Sequence, residues 1–308
     1  MNNKNVGLLK ITSRCNDDCK FCIERESISK KTDDLSFEEI KNNYQYLKTN
    51  FNLDYLIITG GEPTLHPDFL KIIDFFDKEG VSFKIITNFL NFSSLDFSKK
   101  LQLYFSKKKQ NRIFGSINDL PVNDFAKRRI IGLENLLKCN LPVMLITVIY
   151  KDNLNSLSEL ILYLHKIFKK HHYKESINFE IRLIYLQDTL NHLINVSIPD
   201  NFSKLKKSVQ KMVDTASSLG ITLTLWNFPF CYLDNVPRFY DIGVKERRKR
   251  KLLKISKDHQ LNKIEIKDFE KCFKKEKFCQ NCKFNDFCSG IEEDYIKKHK
   301  FPALSPIK

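Results

Sequence analysis

From residue 6 to residue 226, short apolar runs alternate with amphipathic stretches. This alternation limits the possible folds more than any other feature of the chain. The runs at 6–12, 55–59, 82–87, 112–117, 142–149, 177–184 and 221–226 read as strands, and the β-branched run at 142–149 reads as a buried one. Helices are expected over 36–48, 67–79, 92–108, 122–139, 154–170 and 202–219. Ser36 and Glu39 make a capping box, in which a hydroxyl and a carboxylate satisfy orphan backbone donors. Pro67 suits a first helical turn, and Gly80 and Gly220 suit helix stops. Strands that alternate with helices predict an α/β fold on a parallel sheet with right-handed crossovers. Past Trp226 the alternation stops and Pro, Cys and charge become dense. A boundary is therefore placed there, giving regions 1–226 and 227–308.

The nine cysteines are clustered: three near the start, five near the end, and Cys139 between them. Gaps of two and three residues read as metal sites and not as a disulfide framework, which implies a reducing compartment. Cys139 reads as a small buried hydrophobe. The first cluster is Cys15-Asn16-Asp17-Asp18-Cys19-Lys20-Phe21-Cys22, just after the first strand. Three thiolates on one loop suit a cubane iron–sulfur cluster and leave its fourth iron open to another ligand. Zinc is the alternative, but a structural zinc site wants four ligands, and nothing recommends His66 as the fourth.

The chain is long enough for one large domain, or for one domain with an appendage. Its net charge of +15 points either to an acidic partner or to Lys-rich solvated helix faces. Lys10 interrupts the apolar run at 6–11, no cleavage site follows, and no stretch is long enough to span a bilayer. A cytoplasmic protein without membrane insertion is expected.

Further motifs follow in order. Gly60-Gly61-Glu62-Pro63 ends the second strand, Thr87-Asn88 the third, and Gly115-Ser116-Ile117-Asn118 the fourth. Together with the cysteine triplet and Phe21 as its aromatic position, they resemble the radical S-adenosylmethionine (radical SAM) superfamily over roughly residues 6–226. One departure is Phe89, where family members often carry Gly after the Thr-Asn pair. The resemblance implies a partial (β/α)6 TIM-like barrel with its site at the C-terminal ends of the strands. It implies a 4Fe–4S cluster on Cys15, Cys19 and Cys22, whose open iron chelates S-adenosylmethionine. A reductant such as ferredoxin or flavodoxin would feed the cluster. Cleavage of the cofactor then yields a 5′-deoxyadenosyl radical that abstracts hydrogen from an organic substrate.

Within that frame Gly60, Gly61 and Pro63 shape the loop against the ligand, and Glu62 pairs with the methionyl ammonium. Thr87 and Asn88 belong to the same cofactor-binding set. Ser116 and Asn118 reach ribose hydroxyls or the methionyl carboxylate, or are ordinary strand-end polarity. Asn153 reaches the ribose or caps a helix at Leu154. Arg182 holds the cofactor carboxylate or a structural Glu.

The tail carries Cys231, Cys272, Cys279, Cys282 and Cys288. Cys279-x2-Cys282-x5-Cys288 resembles the core of the auxiliary-cluster extensions called SPASM and twitch domains, although Glu292 stands where the full SPASM pattern has a further cysteine. A second 4Fe–4S cluster on Cys231, Cys279, Cys282 and Cys288 is expected, with Cys272 as substitute for Cys231; a zinc staple is the alternative. The extension points to a peptide or protein side chain as substrate. The other readings are a nucleotide cyclase similar to the molybdenum-cofactor first-step enzyme, and a zinc-stapled basic nucleic-acid-binding protein. The basic run at 245–254 would dock an acidic peptide, a nucleic acid or a redox donor, or is an exposed basic helix.

Overall fold

Seven parallel strands lie side by side in chain order: β1 (Lys4–Thr12), β2 (Leu53–Gly60), β3 (Phe83–Thr87), β4 (Arg112–Ser116), β5 (Val143–Ile149), β6 (Asn178–Leu183) and β7 (Thr222–Trp226). The computed structural model describes residues 4–19, 21–22, 33–105, 110–172, 178–183, 202–226, 229–233, 250–255, 261–265, 273–286, 288, 290–293, 296–297 and 305–308. Between the strands run α1 (Phe37–Asn50), α2 (Phe69–Lys78), α3 (Leu95–Gln102), α4 (Asp124–Lys138), α5 (Leu157–Lys170) and α6 (Phe202–Ser218). The expected parallel α/β architecture is therefore present, and its sheet is wider than six strands. The chain also returns to the sheet after residue 226. β8 (Arg250–Ile255) pairs in parallel with the free side of β1, and β9 (Leu261–Glu265) pairs antiparallel with β8. The order is β7-β6-β5-β4-β3-β2-β1-β8-β9.

The helices bind the sheet through apolar stripes at helical spacing. α1 buries Ile40, Tyr44 and Leu47, and α2 buries Phe69, Ile72, Ile73 and Phe76. These stripes join Leu9 and Ile11 of β1 and Leu56 and Ile58 of β2 in one core. Each such fully buried side chain contributes about 1.5–3 kcal/mol. The Tyr44 ring meets Phe75 and Phe76 edge-on, with centroids 5.7 and 5.4 Å away.

Local chemistry sets the helix ends. The Ser36 capping box forms as expected: Glu39 N–H donates to Ser36 Oγ at 3.2 Å, and Ser36 N–H donates to the Glu39 carboxylate at 2.7 Å. Gly80 and Gly220 close α2 and α6 at φ values of 76° and 67°. Four starts differ from expectation, one of them α5, which begins at Leu157 and not at Leu154. α2 begins at Phe69, so Pro67 precedes the helix instead of lying in its first turn. The 92–108 stretch is a short 3-10 turn over Leu90–Ser93 followed by α3, because Ser94 accepts from Phe97 N–H and starts a new helix there. α4 begins at Asp124 because Asn123 Oδ1 accepts from Ala126 N–H at 2.9 Å. No helix among the described residues is long and apolar enough to cross a membrane.

Candidate metal centre and cofactor site

All strands from β1 to β8 run the same way, so their C-terminal ends share one edge of the sheet. The loop with Cys15, Cys19 and Cys22 leaves the β1 end of that edge. Its base is fixed by Asp34: Thr12 Oγ1 donates to Asp34 Oδ1 at 2.6 Å, and Arg14 forms an ion pair with the other oxygen. Its body is tied to three other elements. Asn16 accepts from Asn88 Nδ2 after β3 at 2.9 Å, Asp17 pairs with Arg129 of α4, and the Phe21 ring lies 5.4 Å from Tyr150 after β5. The Cys22 N–H donates to the Cys19 carbonyl at 3.1 Å, a turn that carries the chain from one thiol to the next.

All three thiols are half-buried. Burial pushes Cys15 up to about 11, and Cys19 goes higher still through burial and the Asp17 carboxylate. Such thiols stay protonated until a metal displaces the proton. Among the described residues no three His, Cys, Asp or Glu side chains are gathered closely enough to hold a single metal ion. The donor set itself is three cysteines from one loop with no histidine between them, and the Asp17 carboxylate beside Cys19 is engaged by Arg129. That set fits an iron–sulfur cluster, whose irons take cysteine thiolates.

The Gly-Gly-Glu-Pro segment packs against this loop. Gly61 N–H donates to Thr12 O at 2.9 Å and Glu62 N–H to Arg14 O at 2.7 Å. A Cβ on Gly60 would stand 2.3 Å from Thr12 O, and one on Gly61 2.3 Å from Arg14 O. The close approach these glycines allow is thus to the chain's own backbone, and neither takes a positive φ. Glu62 is buried and faces inward. Its Oε1 accepts from Thr64 N–H (3.2 Å), Thr64 Oγ1 (2.6 Å) and Thr87 Oγ1 (2.8 Å), and its Oε2 accepts from Asn88 N–H (2.6 Å). Burial holds its carboxyl above the usual carboxylate range against the pull of those donors. The carboxylate therefore braces the end of β2 to the end of β3, and Pro63 opens a short 3-10 turn beside it.

Phe89, the departure from the family pattern, has a φ of 67° and a fully buried ring. Two glycines make room for it. A Cβ on Gly115 would fall 1.7 Å from the Phe89 ring, and one on Gly132 of α4 would fall 2.3 Å from Phe89 O. The left-handed backbone usually given to glycine is kept here, and the ring is housed by glycines elsewhere.

Ser116 ends β4 half-buried. Asn118 and Asn153 are buried and bonded to each other's segments. Asn118 Oδ1 accepts from Val148 N–H at 2.7 Å, while Asn153 Nδ2 donates to Asn118 O and Val148 O and its Oδ1 accepts from Tyr150 N–H. Asn153 therefore closes the turn after β5. It caps no helix at Leu154, because α5 starts only at Leu157. Arg182 lies in β6 opposite Val148 and Trp226, and its side chain is outside the described residues.

In the tail, Cys231 lies in a 3-10 turn over Phe230–Tyr232, and Cys279 lies in another over Lys277–Asn281. Cys282 N–H donates to Cys279 O (3.1 Å) and Cys288 N–H to Phe284 O (2.8 Å). The Phe230 and Phe284 rings stack at 4.9 Å, drawing the Cys231 turn onto the Cys279–Cys288 segment. Cys231 feels the other three thiols: burial, then Cys288, Cys279 and Cys282, push it up to about 12. Backbone N–H groups of Phe230 and Gly290 pull Cys288 the other way, while burial raises it overall. Two-residue strands β10 (Phe273–Lys274) and β11 (Ile291–Glu292) close the segment, with Gly290 at φ 97° pressed onto Lys274 O. Cys272 and residues 245–249 lie outside the described residues, as do the side chains at 250, 251 and 254.

Asp17, Arg129, Asn16 and Tyr150 were not singled out by the sequence. Asn16 and Asp17 sit between two cysteines, which is a local signal. Arg129 is one cation among several in an amphipathic helix, and only the fold brings it to the loop.

A family model described as the radical SAM superfamily matches residues 9–164, which include every tie of the first cysteine loop named above. An uncharacterized protein of Methanocaldococcus jannaschii is 26% identical over 215 residues, 64% of this chain and 68% of that one. The S-adenosylmethionine-dependent nucleotide dehydratase of Selenomonas ruminantium is 36% identical over 80 residues, 26% of this chain and 28% of the relative. Among solved structures, Streptococcus suis SuiB bound to precursor peptide SuiA superposes with a TM-score of 0.63 at 14% identity, over 99% of this chain and 75% of that one.

Proposed function

This chain belongs to the radical SAM superfamily, and from that premise we infer that it cleaves S-adenosylmethionine reductively to modify a peptide or protein side chain. It is an enzyme of radical chemistry, and its family implies a 4Fe–4S cluster and S-adenosylmethionine. The cleavage chemistry is supported by one observation: Cys15, Cys19 and Cys22 stand half-buried on a loop tied to the ends of β3 and β5 and to α4. When bound, the cluster supplies one electron to the sulfonium of S-adenosylmethionine, which gives methionine and a 5′-deoxyadenosyl radical.

The chain's own residues hold and orient. Cys15, Cys19 and Cys22 ligate three irons. Gly60, Gly61 and Pro63 set the loop edge at the cofactor, while Glu62, Thr87 and Asn88 lock that edge to β3. Asn118 and Asn153 hold the turn beyond β5, and Ser116 and Arg182 offer polar groups at the ends of β4 and β6. Cys231, Cys279, Cys282 and Cys288 hold an auxiliary cluster in a SPASM/twitch-like extension, and Cys272 stands in reserve. The influence of the other three thiols on Cys231 supports this, and the shared fold with a peptide-bound structure supports a peptide substrate. A ferredoxin or flavodoxin in the cytoplasm supplies electrons, and the basic run at 245–254 offers an acidic partner a docking site.

A second reading, a nucleotide substrate, is favoured by the match to the nucleotide dehydratase. The test is anaerobic reconstitution followed by dithionite reduction with S-adenosylmethionine. Wild type is expected to bind about eight irons, as two cubane clusters require, and to release methionine and 5′-deoxyadenosine. About four irons would remove the auxiliary cluster and the main support for a peptide. Stimulation by nucleotides and not by peptides would favour the second reading. Zinc without iron would overturn the radical reading for this chain.

A further inference from the structure

One buried ion pair beside the first loop is not used by the reading above. Asp17 lies between Cys15 and Cys19, and its side chain is 9% exposed; its partner Arg129, from α4, is 11% exposed. The oxygen that meets Arg129, Asp17 Oδ2, is also the one that accepts the Cys19 S–H, at 3.1 Å. The three groups therefore form one line: thiol, carboxylate, guanidinium. Arg129 Nε is buried and has no hydrogen-bond partner. The neighbouring Tyr150 hydroxyl donates to Asp119.

A buried guanidinium with an unspent donor is costly, and stability alone is a poor reason for it. The arrangement makes sense for a second charge state of the loop. Ligation of iron by Cys19 breaks its S–H bond and releases the proton to solvent. Asp17 then loses a donor and stands beside a thiolate, and Arg129 is left to balance both.

Resting on Cys15, Cys19 and Cys22 as cluster ligands, we propose that Arg129 is a positioning residue that holds the Cys19 arm through Asp17 and raises the reduction potential of the cluster. Reduction adds one negative charge, and a cation close by in a poorly solvated place favours it. A carboxylate there disfavours it. The two members of the pair thus act in opposite directions on one measurable quantity.

The experiment uses the full chain, reconstituted anaerobically with iron and sulfide. Iron content is measured, and the midpoint potential is read by EPR during a mediated dithionite titration. The signal that changes on adding S-adenosylmethionine identifies the first cluster. At unchanged iron content, Arg129→Met is expected to lower the potential, Asp17→Asn to raise it, and Arg129→Lys to leave it near wild type. Shifts of the same sign in Arg129→Met and Asp17→Asn, or none in either, would overturn the proposal. Should Arg129→Met fail to fold, Asp17→Asn decides alone: a rise supports the proposal and any other result overturns it. Wild-type protein without iron would overturn the cluster reading and this inference with it. Normal iron with unmoved potentials would overturn this inference alone.

Discussion

The two groups of cysteines are built in opposite ways. The first loop stands on the edge of a broad parallel sheet and is held by Asp34, Asn88, Arg129 and Tyr150, none of which is a candidate metal ligand. The tail group stands on two-residue strands, short 3-10 turns and one stacked pair of phenylalanines. Remove the metal from the first, and its scaffold keeps its core and hydrogen bonds. If the second holds the auxiliary cluster we propose, removing that cluster leaves little to oppose chain entropy, as in small domains whose metal-binding energy is their folding energy. A metal can thus be a guest of a fold or a part of one.

The sharpest test of this contrast is Cys15/Cys19/Cys22→Ala. It should abolish 5′-deoxyadenosine formation and remove about four irons, the content of one cubane, while the melting temperature of the metal-free chain stays close to that of metal-free wild type. A large drop in that temperature would show that the first loop also depends on its thiols for folding. The next largest effect belongs to Cys279→Ser with Cys282→Ser. Amide exchange measured by mass spectrometry should rise sharply across 273–293 and stay unchanged across β1–β5. Unchanged exchange in the tail would erase the distinction between the two sites.

Smaller effects test the scaffold under the first loop. Gly115→Val drives a side chain into the Phe89 ring and should destabilise the chain by about 1–3 kcal/mol, the usual cost of overpacking. In chemical denaturation, Phe89→Gly on that background should recover part of the loss, since glycine suits the φ of 67° at this position. The smallest effect is one of pH. A carboxyl raised by burial, as Glu62 is, contributes stability that is full below its unfolded pKa and is lost as pH rises through its folded one. Metal-free wild type should therefore lose stability with rising pH above the ordinary carboxylate range, by at most about 1.4 kcal/mol per pH unit. Thermal melts of Glu62→Gln should lack that slope.

Much of this was legible in the sequence, and the failures have physical causes. The seven in-order strands follow from apolar period and punctuation, and the cysteine and glycine motifs fall at strand ends. β8 was missed because Arg250, Lys251 and Lys254 interrupt Leu252, Leu253 and Ile255, so the strand reads as part of a basic run. Gly60 and Gly61 read as points of close approach to a ligand, whereas the approach seen is to the Thr12–Arg14 backbone, which only the β1–β2 register reveals. Glu62 shows the same limit. A motif carboxylate reads as a ligand for something absent, while its four donors come from Thr64, Thr87 and Asn88, brought together by the pairing of β2 with β3. The Asp17–Arg129 pair had no sequence signal, because it spans two unrelated βα units.

The pairing of β1 with β8 bears on how the chain is made. Lys4 to Leu8 align with Arg250 to Lys254, so β1 leaves the ribosome with one side that stays bare until β8 has been synthesised. Contacts this distant in sequence form slowly, and a bare strand edge invites the wrong neighbour in the meantime. A nascent chain arrested before residue 250 should therefore be held by chaperones more strongly than one arrested after β9. Iron loaded during synthesis would meet a cysteine loop whose parent strand is only half paired.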